Sequence, residues 1–347
     1  MRGSIGVKEI ASFLVCPYEG LPLARDRRVL KCPNEHAFPI VEDVPVLLRR
    51  DVPHTISLAS ASLRHAWADI EGRNADPLFV ETLGISDEQK TDLFIALSRH
   101  QDVDPVVSHL VAATNGILYK NIIGQLHDYP IPDIRLTDGR GKILLDVGCS
   151  WGRWSMAASK KGYVPVGLDP SLGAVLAAKR LAKRLGLPFH GVVADVRFLP
   201  FRTDGFDVAF SYSVLQHFSK SDARMSFESI RRVLRTDGTF LVQMASALGI
   251  RSLQHQMRRG FREPKDFDVR YWSPRELLGT FNEILGPTKL EVDCYFGLGL
   301  QPSDLQLMSG MGKLVVFGSE GLRSASKVFR PLLYLADSLY LRSAASG

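Results

Sequence analysis

From Lys142 onward, short and nearly unbroken apolar runs alternate with segments whose apolar positions recur every three or four residues. "KILLDVG", "YVPVGLD", "FHGVVAD", "FDVAFSYS" and "TFLVQMA" read as strands. "GRWSMAASKKG", "PSLGAVLAAKRLAKRLG" and "SDARMSFESIRRVLRTDG" read as helices between them. Strands that are apolar on both faces are buried on both, which predicts a parallel centre with helices on either side. After an Arg-rich polar stretch, "KLEVDCYF" and "KLVVFGSE" read as two more strands, and "SASKVFRPLLYLADSLYLR" as an amphipathic helix. Its apolar face of Val328, Phe329, Leu332, Leu335, Ala336, Leu339 and Tyr340 is expected to pack on the protein or on a second copy. Docking on a membrane surface through Lys327, Arg330 and Arg342 is the alternative.

Upstream the pattern differs. Residues 1–50 carry short apolar runs split by Pro and Gly, which predicts a small β-rich module. Helical spacing then runs to the Pro/Gly-rich "YPIPDIRLTDGRG". The expected organisation is therefore a ribbon-like module over 1–50, a helical lid and linker over 51–140, a doubly wound α/β domain over 141–320 and a C-terminal helix over 321–347.

Composition narrows this only a little. The 347 residues are 45% apolar and 23% charged with a net charge of +6, which favours anionic partners mildly without the dense basic stripe of a dedicated nucleic-acid binder. No window reaches 18 consecutive apolar residues and "MRGSIGVKEIASFLV" lacks a leader-like apolar core, so no transmembrane segment and a cytoplasmic location are expected. Four cysteines are too few for a disulfide framework in a chain of this size.

The chemistry starts at "ILLDVGCSWGRW". A loop from a first strand into a helix is where open α/β sheets bind nucleotides. Dinucleotide loops need a middle glycine so that the backbone can approach a pyrophosphate, and here Ser150 stands between Gly148 and Gly152. Asp146, two residues before the first glycine, would repel a phosphate but suits a ligand carrying an ammonium and a sulfonium. That ligand is S-adenosylmethionine. Asp169 ends the second strand, where a carboxylate can accept ribose hydroxyls, and Asp195 ends the third, where it can meet the adenine amine. The expected cofactor set is Asp146, Gly148, Cys149, Ser150, Gly152, Asp169, Pro170, Asp195, Val196 and Ser211.

The ordered motifs "LDVGCSWG", "GLDPS", "ADVRFLPF", "FDVAFSYSVLQHF" and "IRRVLRTDGTFLV" resemble those of the class I S-adenosylmethionine-dependent methyltransferases, in the branch of ubiquinone and menaquinone biosynthesis enzymes, over about residues 142 to 245. The resemblance implies a seven-stranded, mostly parallel, Rossmann-like sheet with its last strand antiparallel. Ser150 and "RTDG" depart from the glycines usual in the family.

A sulfonium methyl is already activated, so the enzyme must mainly position a nucleophile, with a base needed only if the nucleophile carries a proton. His217 and Tyr212 are the catalytic candidates. Tyr119, Lys120, Gln216, Arg270, Tyr271 and Trp272 are the substrate-facing candidates, by stacking and cation contacts. The Asn-Pro-Pro-Tyr type of motif seen in amine-modifying enzymes is replaced by "SYSV".

At the N-terminus, Cys16, Glu19, Cys32 and His36 follow C-x2-E-x12-C-x3-H. This is one ligand away from a small zinc ribbon, and "CPYEGLPL" with "LKCPNEHAFPI" resembles the ribbon of bacterial 23S rRNA guanine-N1 methyltransferases and of the small proteins that activate tRNA methyltransferases. The lost thiolate predicts a ribbon held by its apolar residues without zinc. The expected function is methyl transfer to O, N or C of a small or carrier-linked metabolite. An rRNA or tRNA substrate is the alternative, and a non-catalytic S-adenosylmethionine-binding partner protein is the third reading.

Overall fold

The computed structural model describes residues 12–97, 102–114, 126–297, 299 and 301–344. The chain forms two compact units, Met1–Phe206 and Asp207–Gly347.

The first unit opens with four short antiparallel strands in sequential order: β1 (Ala24–Asp26), β2 (Val29–Lys31), β3 (Ala37–Val41) and β4 (Val44–Pro45). Helices α1 (Ser57–Ile70), α2 (Asp87–Leu97) and α3 (Pro105–Thr114) follow. A parallel run then begins: β5 (Ile143–Val147), α4 (Arg153–Lys160), β6 (Val164–Asp169), α5 (Leu172–Leu185) and β7 (His190–Val193). All five residues of β5 are buried, as its unbroken apolar run requires. Parallel registers put Asp146 opposite Gly167 and Asp169 opposite Val193. Local chemistry sets the helix ends. The Ser171 hydroxyl accepts from the Ala174 amide at the start of α5, and Gly186 in the left-handed region ends it.

The β-rich stretch is a sheet of its own but not a separate globule. Val41, Val44, Val46 and Leu48 share one core with Ala59, Phe79, Leu172, Val175 and Val193. The Leu47 amide donates to the Val193 carbonyl at 2.7 Å, and Val46 bridges Val193 in parallel.

The second unit holds the rest of β8 (Phe206–Tyr212), then α6 (Lys220–Val233), β9 (Leu234–Ala245), α7 (Ile250–Arg258), α8 (Pro274–Ile284), β10 (Thr288–Cys294), α9 (Gly310–Ser326) and β11 (Ser338–Ala344). The seven-stranded sheet has the order β10-β11-β9-β8-β5-β6-β7, with β11 antiparallel to both its neighbours. This is the expected doubly wound α/β fold with its last strand reversed.

Two C-terminal expectations are corrected. "KLVVFGSE" lies within α9, whose first turn is capped by the Ser309 hydroxyl accepting from the Gly312 amide at 3.3 Å. The expected C-terminal helix over 321–347 does not form: α9 ends at Ser326, Pro331 sits in a 3-10 turn over Arg330–Leu335, and Ser338–Ala344 is a strand. Leu339, Tyr340 and Leu341 are buried between β10 and β9, while Val328 is 90% exposed. The single apolar face foreseen for packing, dimerisation or membrane docking therefore does not exist. The segment's apolar positions carry helix-like spacing, and its pairing between β10 and β9 makes it a strand all the same.

Candidate functional site

The loop after β5 is shaped by glycine geometry. Gly148, Ser150 and Gly152 have φ of 74°, 45° and 83°, so all three occupy the left-handed region. The Gly148 and Cys149 amides both donate to the Leu168 carbonyl, and the Gly152 amide to that of Cys149. Ser150 occupies a conformation that glycine adopts at no steric cost. Ser150→Gly is expected to leave the fold intact and raise the thermal midpoint slightly, by under about 1 kcal/mol of stability; a drop measured by calorimetry would show that the serine hydroxyl holds the loop.

The acids at the strand ends differ in environment. Asp146 is buried, accepts from the Ser155 hydroxyl at 2.6 Å, and is pushed by burial up to about 7. Asp169 accepts from the Ser150 and Ser171 amides at 2.9 Å each and is pushed by burial up to about 6. Neither has an ion-pair partner among the described residues. Asp195 is instead held by Arg197, whose guanidinium approaches to 2.7 Å with both side chains buried. Asp195 also accepts from the Arg197 amide at 2.9 Å, and Arg197 Nη2 donates to the Pro53 carbonyl. Val196 is buried beside it, and Pro170 gives its carbonyl to the Ser62 hydroxyl.

Two uncompensated buried carboxyls at the strand ends, over a loop without a phosphate cradle, suit a cationic ligand rather than an anionic one. The donor set thus fits the cofactor expected from sequence. Sequence reading missed Arg197 and Ser155; the Asp-x-Arg spacing at 195–197 was the available signal for the first.

In the second unit Ser211 is buried near the end of β8. Tyr212 donates its hydroxyl to Asp293 at 2.8 Å and accepts from Gln301 at 2.6 Å. The Ser338 hydroxyl donates to the same Asp293 oxygen, and Gln243 joins Ser338 to the Ser213 amide. Burial, then the Asp293 charge, hold the Tyr212 hydroxyl well above its ordinary range. Tyr212 is therefore a donor at neutral pH, not a base. His217 donates Nδ1–H to the Phe267 carbonyl at 2.7 Å and stacks on that ring at 4.2 Å. This bond commits Nδ1 as a donor, the Ser213 backbone also bonds the ring, and burial lowers the imidazole's pKa.

The substrate candidates separate. Gln216 is buried, bonded through Nε2 to the Ser213 hydroxyl, and its Oε1 has no hydrogen-bond partner. Arg270 gives its guanidinium to the carbonyls of His217, Asp266, Asp268 and Pro264, so it fastens a loop. Tyr271 pairs with His255, and Trp272 is packed in the core on Phe227 under the Lys220 ammonium. Neither Arg270 nor Trp272 presents a free recognition surface. Tyr119 and Lys120 lie outside the described residues.

Cys16, Glu19, Cys32 and His36 converge, with one potential ligand atom from each within 4.8 Å of the others. An open cleft beside them is lined by Tyr18, His36, Phe38, Leu48, Arg50 and Trp67, and none of the three strand-end acids lines it.

Residues 144–238 match the family described as a methyltransferase domain. The chain is 26% identical over 204 residues to the uncharacterised protein MJ1252 of Methanocaldococcus jannaschii, covering 58% of this chain and 73% of that one. It is 32% identical over 132 residues to the tRNA (carboxymethyluridine(34)-5-O)-methyltransferase of Saccharomyces cerevisiae, covering 37% of this chain and 43% of the yeast protein. It therefore spans less than half the yeast enzyme. The crystal structure of the YcgJ protein of Bacillus subtilis superposes with a TM-score of 0.39 at 20% identity, covering 60% of this chain and 94% of that one. The family match falls on the stretch that carries all three strand-end acids.

Proposed function

We propose that the protein transfers a methyl group from S-adenosylmethionine to an oxygen, nitrogen or carbon of a small or carrier-linked metabolite. The observation that carries the cofactor half is the buried, uncompensated pair Asp146 and Asp169. S-adenosylmethionine, when bound, supplies a methyl already activated on a sulfonium. Asp169 keeps lone pairs on both oxygens after accepting two amides, enough for two ribose hydroxyls. Asp195 retains acceptor capacity beside its arginine, which holds the carboxylate in orientation. His217 is the proposed proton acceptor. Its Nδ1 is committed to a carbonyl and its burial-lowered pKa leaves it neutral at pH 7.

The acceptor half rests on surface chemistry. Leu253, Met257, Phe261 and Phe267 are exposed apolar side chains on and after α7, interleaved with the exposed Arg251, Arg258 and Arg262, a surface that suits an acceptor with an apolar body and an anionic group. RNA is the second reading, favoured by the name of the yeast relative and the net charge of +6. The test is methyl transfer from labelled donor into cell extract split into RNA, protein and metabolite fractions. Label in the metabolite fraction is expected, with His217→Gln lowering turnover about 100-fold while cofactor affinity stays unchanged. Label in RNA that vanishes in a deletion strain and returns on complementation would reassign the acceptor. Cofactor binding without transfer to any fraction would favour the non-catalytic partner reading.

A further inference from the structure

We propose that Cys16, Glu19, Cys32 and His36 form a divalent-cation site, best suited to zinc, and that its occupancy is linked to cofactor binding through the segment that carries Asp195. The linkage rests on the cofactor reading above; the metal site does not.

The distances between ligand atoms already resemble the edges of a zinc tetrahedron. Cys16 Sγ lies 3.6 Å from His36 Nδ1, Cys32 Sγ lies 3.2 Å from Glu19 Oε2, and His36 Nδ1 lies 3.6 Å from the same Glu19 oxygen. Zinc bonds of ordinary length at tetrahedral angles give edges of about 3.4 to 3.8 Å. The ligands are also held from outside. Asn34 Nδ2 donates to Glu19 Oε1 at 2.7 Å, leaving Oε2 toward the cluster, and the His36 ring stacks on Tyr18 at 4.2 Å and 3°. Turns close beneath both thiols, the Gly20 amide donating to the Cys16 carbonyl and the Glu35 amide to that of Cys32. Two sulfurs and an imidazole select zinc over magnesium or calcium, and the carboxylate stands where a fourth soft ligand would strengthen the site. Loss of that thiolate is what predicted a metal-free ribbon. The fold places Glu19 in its position.

The ribbon brackets the Asp195 segment from both sides. Just before Cys16, the Val15 amide donates to the Pro200 carbonyl at 3.0 Å, the Arg202 amide donates to the Phe13 carbonyl at 2.8 Å, and Leu14 bridges Phe201. At the other end Leu47 is bonded to Val193. Arg49 lies over both Tyr18, the ring against His36, and Phe198, three residues after Asp195. An ion that fixes Cys16 and His36 therefore fixes the flanks of residues 193–202. A ligand that engages Asp195 must, by reciprocity, tighten the ion by the same factor.

The test starts with the full chain. Elemental analysis is expected to find about one zinc per chain, and cobalt substitution a thiolate-to-metal absorption band that Cys16→Ser removes. Zinc affinity is then measured by chelator competition with and without saturating S-adenosylhomocysteine, whose binding is checked by calorimetry in the same preparation. Zinc should tighten at least about fivefold with the nucleoside present. Glu19→Gln should weaken zinc at least about tenfold and Glu19→Cys should strengthen it, with amide-exchange protection at residues 13–15 following zinc occupancy. Substoichiometric zinc with no thiolate band overturns the site. Stoichiometric zinc whose affinity ignores a nucleoside that does bind overturns the linkage. Failure of the nucleoside to bind overturns the cofactor reading and the linkage together, and leaves the zinc measurements to decide the site.

Discussion

Between about pH 4 and pH 7 the ligand-free protein should lose stability through Asp146 and Asp169 as the pH rises, and cofactor affinity should rise over the upper part of that window. Burial raises both carboxyls from an ordinary 3.8, to about 7 and about 6. Below pH 4 folded and unfolded chains alike hold these protons, so the acids cost nothing. Above it the unfolded chain ionises while the folded chain keeps its protons, which favours unfolding until the folded groups also ionise. At 1.36 kcal/mol per unit the combined cost above pH 7 is on the order of several kcal/mol, with the two sites coupled rather than additive. His54, His190 and His217 act in the opposite sense, since burial lowers each of them and they resist protonation as the pH falls. The decisive comparison is therefore with Asp146→Asn. This variant should be more stable than wild type at pH 7.5 and equal to it at pH 4 by thermal melts. A cationic ligand favours the ionised acids, so its binding should release protons near pH 6.5, seen as a buffer-dependent calorimetric enthalpy. Parallel melting curves for the two proteins across the window would show that the pair is solvated and uncostly.

Gly152→Ala is expected to be comparably severe, destabilising by about 2 to 5 kcal/mol and removing cofactor binding. The residue has φ of 83°, where an L side chain is strained, and an added Cβ would lie 2.8 Å from the Ala178 Cβ on α5. The two costs can be separated. Ala178→Gly in the same chain removes the steric clash but not the backbone strain, so it should recover part of the loss in a denaturation experiment. Full recovery would assign the whole cost to packing, and no loss in the single variant would refute the close approach of α4 and α5.

These consequences trace back unevenly to the sequence. The strand-end acids were legible because a parallel strand announces itself as an apolar run and the residue after it is fixed at one edge of the sheet. Spacing also identified Cys16, Glu19, Cys32 and His36 as a set, though not that Glu19 Oε2 reaches both Cys32 and His36. The C-terminal elements were exchanged. "KLVVFGSE" is rich in strand-favouring residues yet is capped as a helix, and "DSLYLRSA" has helix-like spacing yet fills the gap between β10 and β9. Tertiary demand for a strand outweighed local preference there. The buried network of Gln243, Ser338, Asp293, Tyr212 and Gln301 was illegible because its members are 45 to 95 residues apart where they bond. Arg270 and Trp272 looked like recognition residues because their composition is the same whether they meet a ligand, a set of carbonyls or a core.

The loop between β5 and α4 and the acids at the ends of β5, β6 and β7 are proposed to hold S-adenosylmethionine. Calorimetric titration of the full chain with S-adenosylhomocysteine tests it most directly, with NAD as the comparison ligand and Asp169→Ala as the variant. Micromolar binding of the nucleoside is expected, with no heat from NAD and affinity weakened about 10- to 150-fold by loss of a carboxylate that accepts ligand hydroxyls. Tight NAD binding with no response to S-adenosylhomocysteine, or equal affinity in Asp169→Ala, would contradict it.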